Sequence, residues 1–138
     1  MIHEKIGGDI MELETVAPYV GDYNAVVDQG KREVNQGYMP EIKSLDKNLA
    51  DYDTIILGTP VWWYTFAPAI KTFLVANDLS GKTAFPFITN GGWIGHTVAD
   101  IQKACPNASV KTAINIKING EQLSTSASDI EKWISKIK

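Results

Sequence analysis

Apolar, β-prone runs alternate with segments of helical periodicity along this chain. Three such runs stand out, at residues 54–58, 83–89 and 109–118. After the first run, Pro68 stands where a first helical residue would, and the apolar residues behind it share one helix face, namely Ile70, Phe73 and Leu74. Strands that alternate with helices at this spacing predict right-handed βαβ crossovers and a parallel sheet covered on both faces. We therefore predict an α/β fold.

Two pairs of a hydroxyl residue and an acidic residue predict where the later helices begin. Thr97 precedes Asp100, and Ser128 precedes Glu131, at the spacing of an N-cap and its N3 partner. Apolar residues follow the second pair at i, i+3, i+4 and i+7, namely Ile130, Trp133, Ile134 and Ile137. This periodicity predicts a final helix with one buried face.

The first third of the chain has a weaker pattern. Residues 1–8 resemble the last turns of a helix closed by Gly7 and Gly8. Residues 10–16 alternate apolar and acidic side chains, which predicts a strand. A helical stripe interrupted by Gly30 follows, at Tyr23, Val26, Val27 and Val34.

Pro86 lies inside the second β-prone run, which we place centrally in the sheet. Proline has no N–H to donate to a ladder, and it is therefore rare in central strands. We expect a bulge or a local break of the sheet beside it.

Composition narrows the class of protein. A chain of 138 residues with 44% hydrophobic and 21% charged residues is typical of one globular domain. It has neither a stretch of about 20 apolar residues nor a signal peptide, so we expect a cytoplasmic protein with no membrane partner. The single Cys105 excludes an intrachain disulfide, and a net charge of −3 disfavours a nucleic-acid partner.

Two unusual loops are predicted beyond the carboxyl ends of the first two runs, where open parallel sheets bind ligands. Residues 59–66 place four aromatic side chains within five positions, and residues 89–96 combine three glycines with Trp93. Rings for stacking and amides for a polar edge would suit a planar heteroaromatic ligand. The aromatics could equally fill a core or form a dimer contact, with the glycines only making a turn, and spacing alone leaves both interpretations open.

The strings YDTIILGTPVWWYTFAPAIKTFL and SGKTAFPFITNGGWIG resemble the third- and fourth-strand segments of the flavodoxin family, in the branch with P-x-WW and T-x-GG loops. The second strand of that branch is similar to GGDIMELETVAPY, its approach to the fifth strand to CPNASV, and its last helix to IEKWISKI. The resemblance therefore covers nearly the whole chain. It implies a three-layer α/β sandwich with sheet order 2-1-3-4-5 that binds FMN. The residues that would flank the isoalloxazine ring are Thr59, Pro60, Val61, Trp62, Trp63, Thr89, Asn90, Gly91, Gly92, Trp93 and Gly95.

The start of the chain departs from that family pattern. Family members begin with a strand and a Ser/Thr- and Gly-rich loop that holds the FMN phosphate at the N-terminus of the first helix. Met1 falls within that helix, so we expect a single domain over 1–138 that is incomplete at its N-terminus, through internal initiation or a misplaced start. Residues 124–128 are rich in Ser and Thr, but they follow the last strand and we interpret them as a helix cap. FMN binding is then expected to be weakened.

The absent first strand would belong between the second and third strands of the implied sheet. Its absence would leave two facing edges of unpaired backbone groups, and such edges tend to associate. We therefore expect a homo-oligomer with residues 1–16 at the contact.

The leading functional hypothesis is a flavodoxin-like, FMN-dependent electron-transfer protein or oxidoreductase that exchanges electrons with an unidentified redox partner or small molecule. The alternative is a cofactor-free, flavodoxin-like remnant whose aromatic loops serve self-association. A phosphoacceptor domain would need an aspartate at the end of a central strand, where this chain has Gly58-Thr59 and Thr89-Asn90. We interpret His96 as a surface imidazole and Cys105 as a small buried hydrophobe.

Overall fold

The β-prone runs form the centre of a sheet, and helices pack on both of its faces. A computed structural model describes residues 2–17, 19–45, 47–120 and 122–137. The helices are α1 (Ile2–Ile6), α2 (Tyr23–Gln36), α3 (Pro68–Ala76), α4 (Thr97–Ala104) and α5 (Ala127–Ser135). The strands are β1 (Thr54–Trp62), β2 (Thr65–Phe66), β3 (Thr83–Asn90), β4 (Ser109–Val110), β5 (Ile114–Asn119) and β6 (Gln122–Leu123).

The central ladders of the sheet are parallel. The strand order is β2-β1-β3-β5-β6, and β4 also pairs with β3. The short strands β2 and β6 fold back antiparallel on β1 and β5. Because β1 and β3 run in the same direction and Pro60 lies opposite Thr89, the segments that follow them emerge side by side. The α/β fold with flanking helices is confirmed, and the two predicted ligand loops are neighbours.

The third β-prone run is broken opposite Pro86, as expected. β4 and β5 both pair with β3, but residues 111–113 between them are in neither strand. Ala84 accepts a hydrogen bond from the backbone N–H of Lys111 at 2.8 Å, and the nitrogen of Pro86, two residues on, faces the same side. The missing donor of Pro86 therefore lies where the neighbouring strand is interrupted.

Two hydrophobic clusters, one on each face of the sheet, make the fold a three-layer sandwich. On one face, Leu57 and Ile88 pack with α3 and α4, whose buried residues include Ile70, Phe73, Leu74 and Ile101. On the other face, the strand residues Phe85, Ile114 and Ile116 pack with Ile6 of α1 and with the buried face of α5, which consists of Ile130, Trp133 and Ile134. The alternation of side chains along β1 and β3 divides them between the two clusters.

The strand predicted at residues 10–16 is wrong. Only one antiparallel bridge forms there, between Thr15 and Ile42, with Ile10 72% exposed. A strand needs a ladder partner, and no described strand lies beside residues 10–14. The preceding helix is confirmed over its described residues, because α1 ends at Ile6 and Gly7 and Gly8 both have positive φ angles.

The two predicted N-caps are also wrong, each by a shift along the chain. His96 is the N-cap of α4, and Thr97 instead donates its hydroxyl to the carbonyl of Ile94 at 2.6 Å. Ser126 caps α5 by accepting from the backbone N–H of Asp129 at 3.1 Å, two residues before the predicted start. Both serines fit the sequence pattern, and the buried face of Ile130, Trp133 and Ile134 is the predicted one.

Cys105 is buried at the end of α4, as predicted, and burial raises the pKa of its thiol. A raised pKa lowers the thiolate fraction, which agrees with a packing role. None of the helices in the described residues is both long enough and apolar enough to span a bilayer.

Candidate functional site

The first predicted loop is a β-hairpin. β1 continues to Trp62, and β2 returns after a two-residue turn formed by Trp63 and Tyr64. Both turn residues have positive φ angles, 49° and 73°, as the twist of a tight hairpin requires. Large side chains seldom adopt this conformation, and such strain concentrates at functional sites. The turn sends the rings of Trp63 and Tyr64 to different neighbours.

Trp62 and Trp63, the inner tryptophans, pack on α2. A Cβ atom added to the buried Gly30 would lie 3.1 Å from Trp62 and 3.6 Å from Trp63, so glycine lets the helix approach both rings. The indole N–H of Trp63 donates to the carbonyl of Val27 at 2.9 Å, and Lys31 places its ammonium 5.2 Å from the centre of the same ring. These contacts fix the hairpin to the helix.

Tyr19 and Glu33 extend this packing. The ring of Tyr19 lies edge-on to Trp62, with centroids 4.9 Å apart, and its hydroxyl donates to the buried Glu33 at 2.8 Å. Burial, followed by the hydrogen bond and charge of Glu33, raises the pKa of Tyr19 well above its usual value. Tyr19 therefore stays protonated, and its ring packs edge-on against Trp62.

The second loop is joined to the hairpin through its backbone. The N–H of His96 donates to the carbonyl of Tyr64 at 2.8 Å. A Cβ atom at Gly95 would lie 2.4 Å from the same oxygen, and Gly95 has a φ angle of 57°. Only glycine fits this junction, for reasons of both space and conformation.

Tyr64 and Trp93, the outer aromatics, meet above this junction. Their ring centroids are 4.7 Å apart with an interplanar angle of 54°, and they remain 47% and 67% exposed. Each of these exposed rings has a flat face on which a planar ligand can stack. The structure thus brings together Trp93 of one predicted loop and the turn of the other.

The glycines beside Trp93 leave open space. A Cβ atom at Gly91 would have its nearest neighbour at 4.0 Å, and one at Gly92 would meet only Lys117, at 3.5 Å. The side chain of Asn90 holds this turn by accepting from the N–H of Gly92 at 2.9 Å and donating to Asn115. The result is a shallow cradle of backbone with a lysine at its rim.

The remaining predicted site residues lie at the base of the two loops. Thr59 is 2% exposed, and its hydroxyl donates to the carbonyl of Pro60 at 2.8 Å and accepts from the N–H of Ala67 at 3.1 Å. Val61 packs on the core, whereas Pro60 is exposed. Thr89 is half-buried and pairs with Pro60. In this structure Thr59 braces the hairpin against the start of α3.

Sequence reasoning did not assign Tyr64 to the site, and it did not predict that His96, Asp100 and Thr65 form a polar cluster. Asp100 accepts from the hydroxyl of Thr65 and contacts Nδ1 of His96. The four-residue spacing of His96 and Asp100 would have indicated a contact within a helix turn. The distance along the chain between Thr65 and Asp100 gave no such signal.

The model of the family described as Flavodoxin matches residues 2–137. This chain belongs to the flavodoxin family. A solved structure of a candidate flavoprotein from Bacteroides eggerthii DSM 20697 agrees with this flavodoxin fold, at 29% sequence identity and a TM-score of 0.82, covering 99% of this chain and 85% of that one. The predicted flavodoxin-like three-layer fold is confirmed.

Two further likenesses are more distant. A flavoprotein from Lactobacillus acidophilus NCFM, solved in complex with FMN, shares the flavodoxin fold at 20% identity and a TM-score of 0.74, over 96% of this chain and 85% of that one. The Uncharacterized NAD(P)H oxidoreductase YcaK of Escherichia coli (strain K12) is 23% identical over 77 residues, which are 53% of this chain. The aligned part covers 39% of the length of that relative.

Proposed function

We propose that this flavodoxin-family chain is an FMN-dependent electron-transfer protein or oxidoreductase. The observation that carries the proposal is the junction of the two loops at the carboxyl ends of β1 and β3. There the exposed rings of Tyr64 and Trp93 stand beside the open backbone of Gly91 and Gly92. Family membership and the FMN-bound neighbour from Lactobacillus acidophilus support the identity of the cofactor.

The residues of the cradle fit an isoalloxazine ring. Trp93 and Tyr64 would cover its flat face, and the backbone at Gly91 and Gly92 is open to its polar edge. Lys117, beside Gly92, places a positive charge where electron density on that edge would be stabilised. When bound, the flavin supplies the redox chemistry, and the chain orients the ring and limits its contact with water.

Trp62, Trp63 and Thr59 support this arrangement from below. The two tryptophans anchor the hairpin to α2, and Thr59 fixes its other end to α3. A rigid base keeps the exposed rings in place, which lowers the entropy cost of binding.

We further propose that the 138-residue chain holds flavin by the ring rather than by the phosphate. The described residues that stand at the candidate site are aromatic rings and glycine backbone, which suit the ring of a flavin.

Calorimetric titration of the chain with FMN and with riboflavin tests both proposals. We expect a measurable affinity that is about equal for the two ligands. A much tighter affinity for FMN would indicate a phosphate site elsewhere in the chain. Failure of both ligands to bind at millimolar concentration would favour a cofactor-free role.

The electron donor is proposed by chemical class. The name of the partial relative from Escherichia coli includes NAD(P)H oxidoreductase, which favours a reduced nicotinamide as the donor. Anaerobic bleaching of the flavin absorbance near 450 nm on addition of NADH or NADPH would support this, and reduction by dithionite alone would contradict it.

A specific observation also favours association of two or more copies of the chain. Ile10 and Val20 are each 72% exposed, Val16 is 49% exposed, and no described strand pairs with the free side of β1 over residues 54–60. Exposed apolar side chains beside an open sheet edge tend to be covered. We propose a homo-oligomer with the expected region of residues 1–16, extended to Val20, at the contact.

Light scattering at micromolar concentration is the test of association. We expect a dimer or larger species for the parent chain and a monomer for the double variant Ile10→Lys, Val20→Lys. The matched control is Val75→Lys, since Val75 on α3 is also apolar and 66% exposed. A monomeric parent chain would contradict the proposal.

A further inference from the structure

An open groove lies where the third β-prone run is interrupted. Residues 111–113 belong to neither β4 nor β5, and all three line this groove together with Val98 and Gln102 of α4. Its volume is about 350 Å³, which is within the range of small-molecule sites. Irregularities in strands, such as bulges, are common beside functional sites. The interruption therefore creates a space that can hold a small organic molecule.

The groove uses other residues than the candidate flavin site does. Its lining includes neither the outer aromatics, Tyr64 and Trp93, nor the glycines of the second loop. Asn115 lines the groove and accepts a hydrogen bond from the side chain of Asn90, which is part of that loop. A molecule in the groove would thus be a neighbour of the flavin and would not compete with it for the same side chains.

Much of the groove is lined by apolar side chains. Ile88 is fully buried, and Ile94, Val98 and Val110 are half-buried. All four belong to the hydrophobic cluster that packs with α3 and α4, so neighbouring side chains hold them in place. A preformed apolar lining of this kind binds the apolar part of a ligand by removing it from water.

The polar part of the lining offers hydrogen-bond donors and a positive charge. Lys111 takes part in none of the ion pairs of the described residues. The side-chain oxygen of Asn115 already accepts from Asn90, which leaves the N–H groups of its amide. The carbonyl of Thr112, an acceptor, is already bound by the indole N–H of Trp133 at 2.9 Å. Among the described residues no Asp or Glu lines the groove, so an anionic group is favoured there.

We propose that this groove binds a small organic carboxylate. Its apolar body packs against Ile94, Val98 and Val110, and its carboxylate accepts hydrogen bonds from Lys111 and Asn115. An inorganic anion would leave the apolar lining unfilled, and a neutral apolar molecule would leave the charge of Lys111 without a partner. The proposal does not depend on the proposed flavin function.

The first measurement locates the bound molecule. Naphthoate, a carboxylate with a flat apolar body, is titrated into the methyl-labelled chain and followed by NMR. We expect saturable shifts of the methyl signals of Val98 and Val110. Val75, which is exposed on α3 and does not line the groove, is the control and its signals should not move.

The same titration of Trp93→Ala shows whether the probe stacks on the outer aromatics instead. The ring of Trp93 does not line the groove, so the affinity for naphthoate should equal that of the parent. Loss of binding in this variant would place the probe at the candidate flavin site and would overturn the proposal.

The second measurement tests the charge. Naphthamide has nearly the shape of naphthoate but no charge, and we expect the parent to bind naphthoate about 5-fold more tightly at low salt. This preference should decline at about 0.5 M salt, because salt screens exposed charges. Lys111→Gln should remove the preference, whereas Lys103→Gln, an exposed change on α4 outside the groove, should leave it unchanged.

The outcomes decide this inference separately from the proposed function. Equal affinity of the parent for naphthoate and naphthamide, or no shift at Val98 and Val110 at millimolar naphthoate, would overturn the carboxylate site. An equal loss of preference in Lys111→Gln and Lys103→Gln would also overturn it, because the groove would then have no special cation. Failure of the chain to bind flavin would overturn the proposed function and leave these results as they are.

Discussion

The inner tryptophans and the outer aromatics come from one short aromatic sequence and one glycine-rich loop, yet their surroundings differ. Trp62 and Trp63 are half-buried against α2, and a hydrogen bond to Val27 satisfies the indole N–H of Trp63. Tyr64 and Trp93 touch each other and remain largely exposed. The same residue type therefore supports the fold on one side of the turn and offers surface to a ligand on the other.

The cause of this difference is the backbone of the hairpin turn. Two consecutive positive φ angles, at Trp63 and Tyr64, reverse the chain within two residues. The two rings meet edge-on, with centroids 6.4 Å apart, and each also packs on a different neighbour. The positive φ of Gly95 then lets the second loop close on the back of the same turn. A substitution at the junction should therefore affect both the inner tryptophans and the outer aromatics. The substitution of a single ring should affect only the pair to which it belongs.

The largest effect is expected for Gly95→Ala. The new Cβ atom would lie 2.4 Å from the carbonyl oxygen of Tyr64, in addition to the strain of a φ angle of 57°. We expect a loss of at least about 3 kcal/mol in the free energy of unfolding, together with loss of flavin binding. Urea unfolding and flavin titration measure the two effects.

Gly81→Ala is the matched control for that variant. Gly81 has a φ angle of 77°, but no atom of the described residues lies within 4 Å of an added Cβ atom. It should cost only the conformational strain, about 1 kcal/mol, and leave flavin binding intact. Equal losses for the two variants would show that the junction is not tightly packed.

Exchanging single rings should separate the two pairs. Trp63→Ala removes the hydrogen bond to Val27 and the contact with Lys31, and should cost about 2–3 kcal/mol of stability. Trp93→Ala should change stability by less than about 0.5 kcal/mol but abolish detectable flavin binding, because its exposed ring contacts Tyr64 and has no buried contact to lose. Trp62→Ala should behave like Trp63→Ala.

Thermal unfolding and flavin titration of all three variants provide the measurement. If the three tryptophan variants bind flavin as the parent does, the proposed site is wrong. If Trp93→Ala is the least stable of the three, the division into inner and outer rings is wrong.

The smallest effect is expected from Tyr19, at the far edge of the inner pair. Its pKa in the folded state lies above the unfolded value of 10.0, so the folded chain binds this proton more tightly than the unfolded chain does. The stabilisation is complete below pH 10 and is lost as the pH rises above it. The free energy of unfolding should therefore fall above pH 10 more steeply in the parent than in Tyr19→Phe.

Tyr23→Phe is the control for this comparison, since Tyr23 is 82% exposed on α2. Its stability should follow that of the parent through the alkaline range. Identical pH profiles for the parent and Tyr19→Phe would mean that Tyr19 does not hold Trp62 through a protonated hydroxyl.

Much of the fold was determined by the sequence alone. Local periodicity predicts a helix that begins at Pro68 and buries Ile70, Phe73 and Leu74. Both the helix and its buried face are observed. The interruption beside Pro86 follows from a missing N–H, which no tertiary contact can replace. These features depend on the chemistry of residues close together in the chain.

Tertiary structure decided the remaining features. Residues 10–16 have the alternation of a strand, but a strand also needs a neighbour to accept its hydrogen bonds, and the described chain offers one bridge at Thr15. The sequence pattern also allowed Ser126 and Ser128 as the cap of α5, and only the structure shows that Ser126 accepts the capping hydrogen bond.

Tertiary structure also decided which rings of the candidate site support the fold and which are exposed. The two loops were located by sequence because parallel strands end at the same edge of a sheet. Which rings face α2 and which face solvent depended on the turn at Trp63 and Tyr64. Thr65 and Asp100 are 35 residues apart in the chain and meet only because β2 packs against α4. No pattern in the nearby sequence predicts this contact.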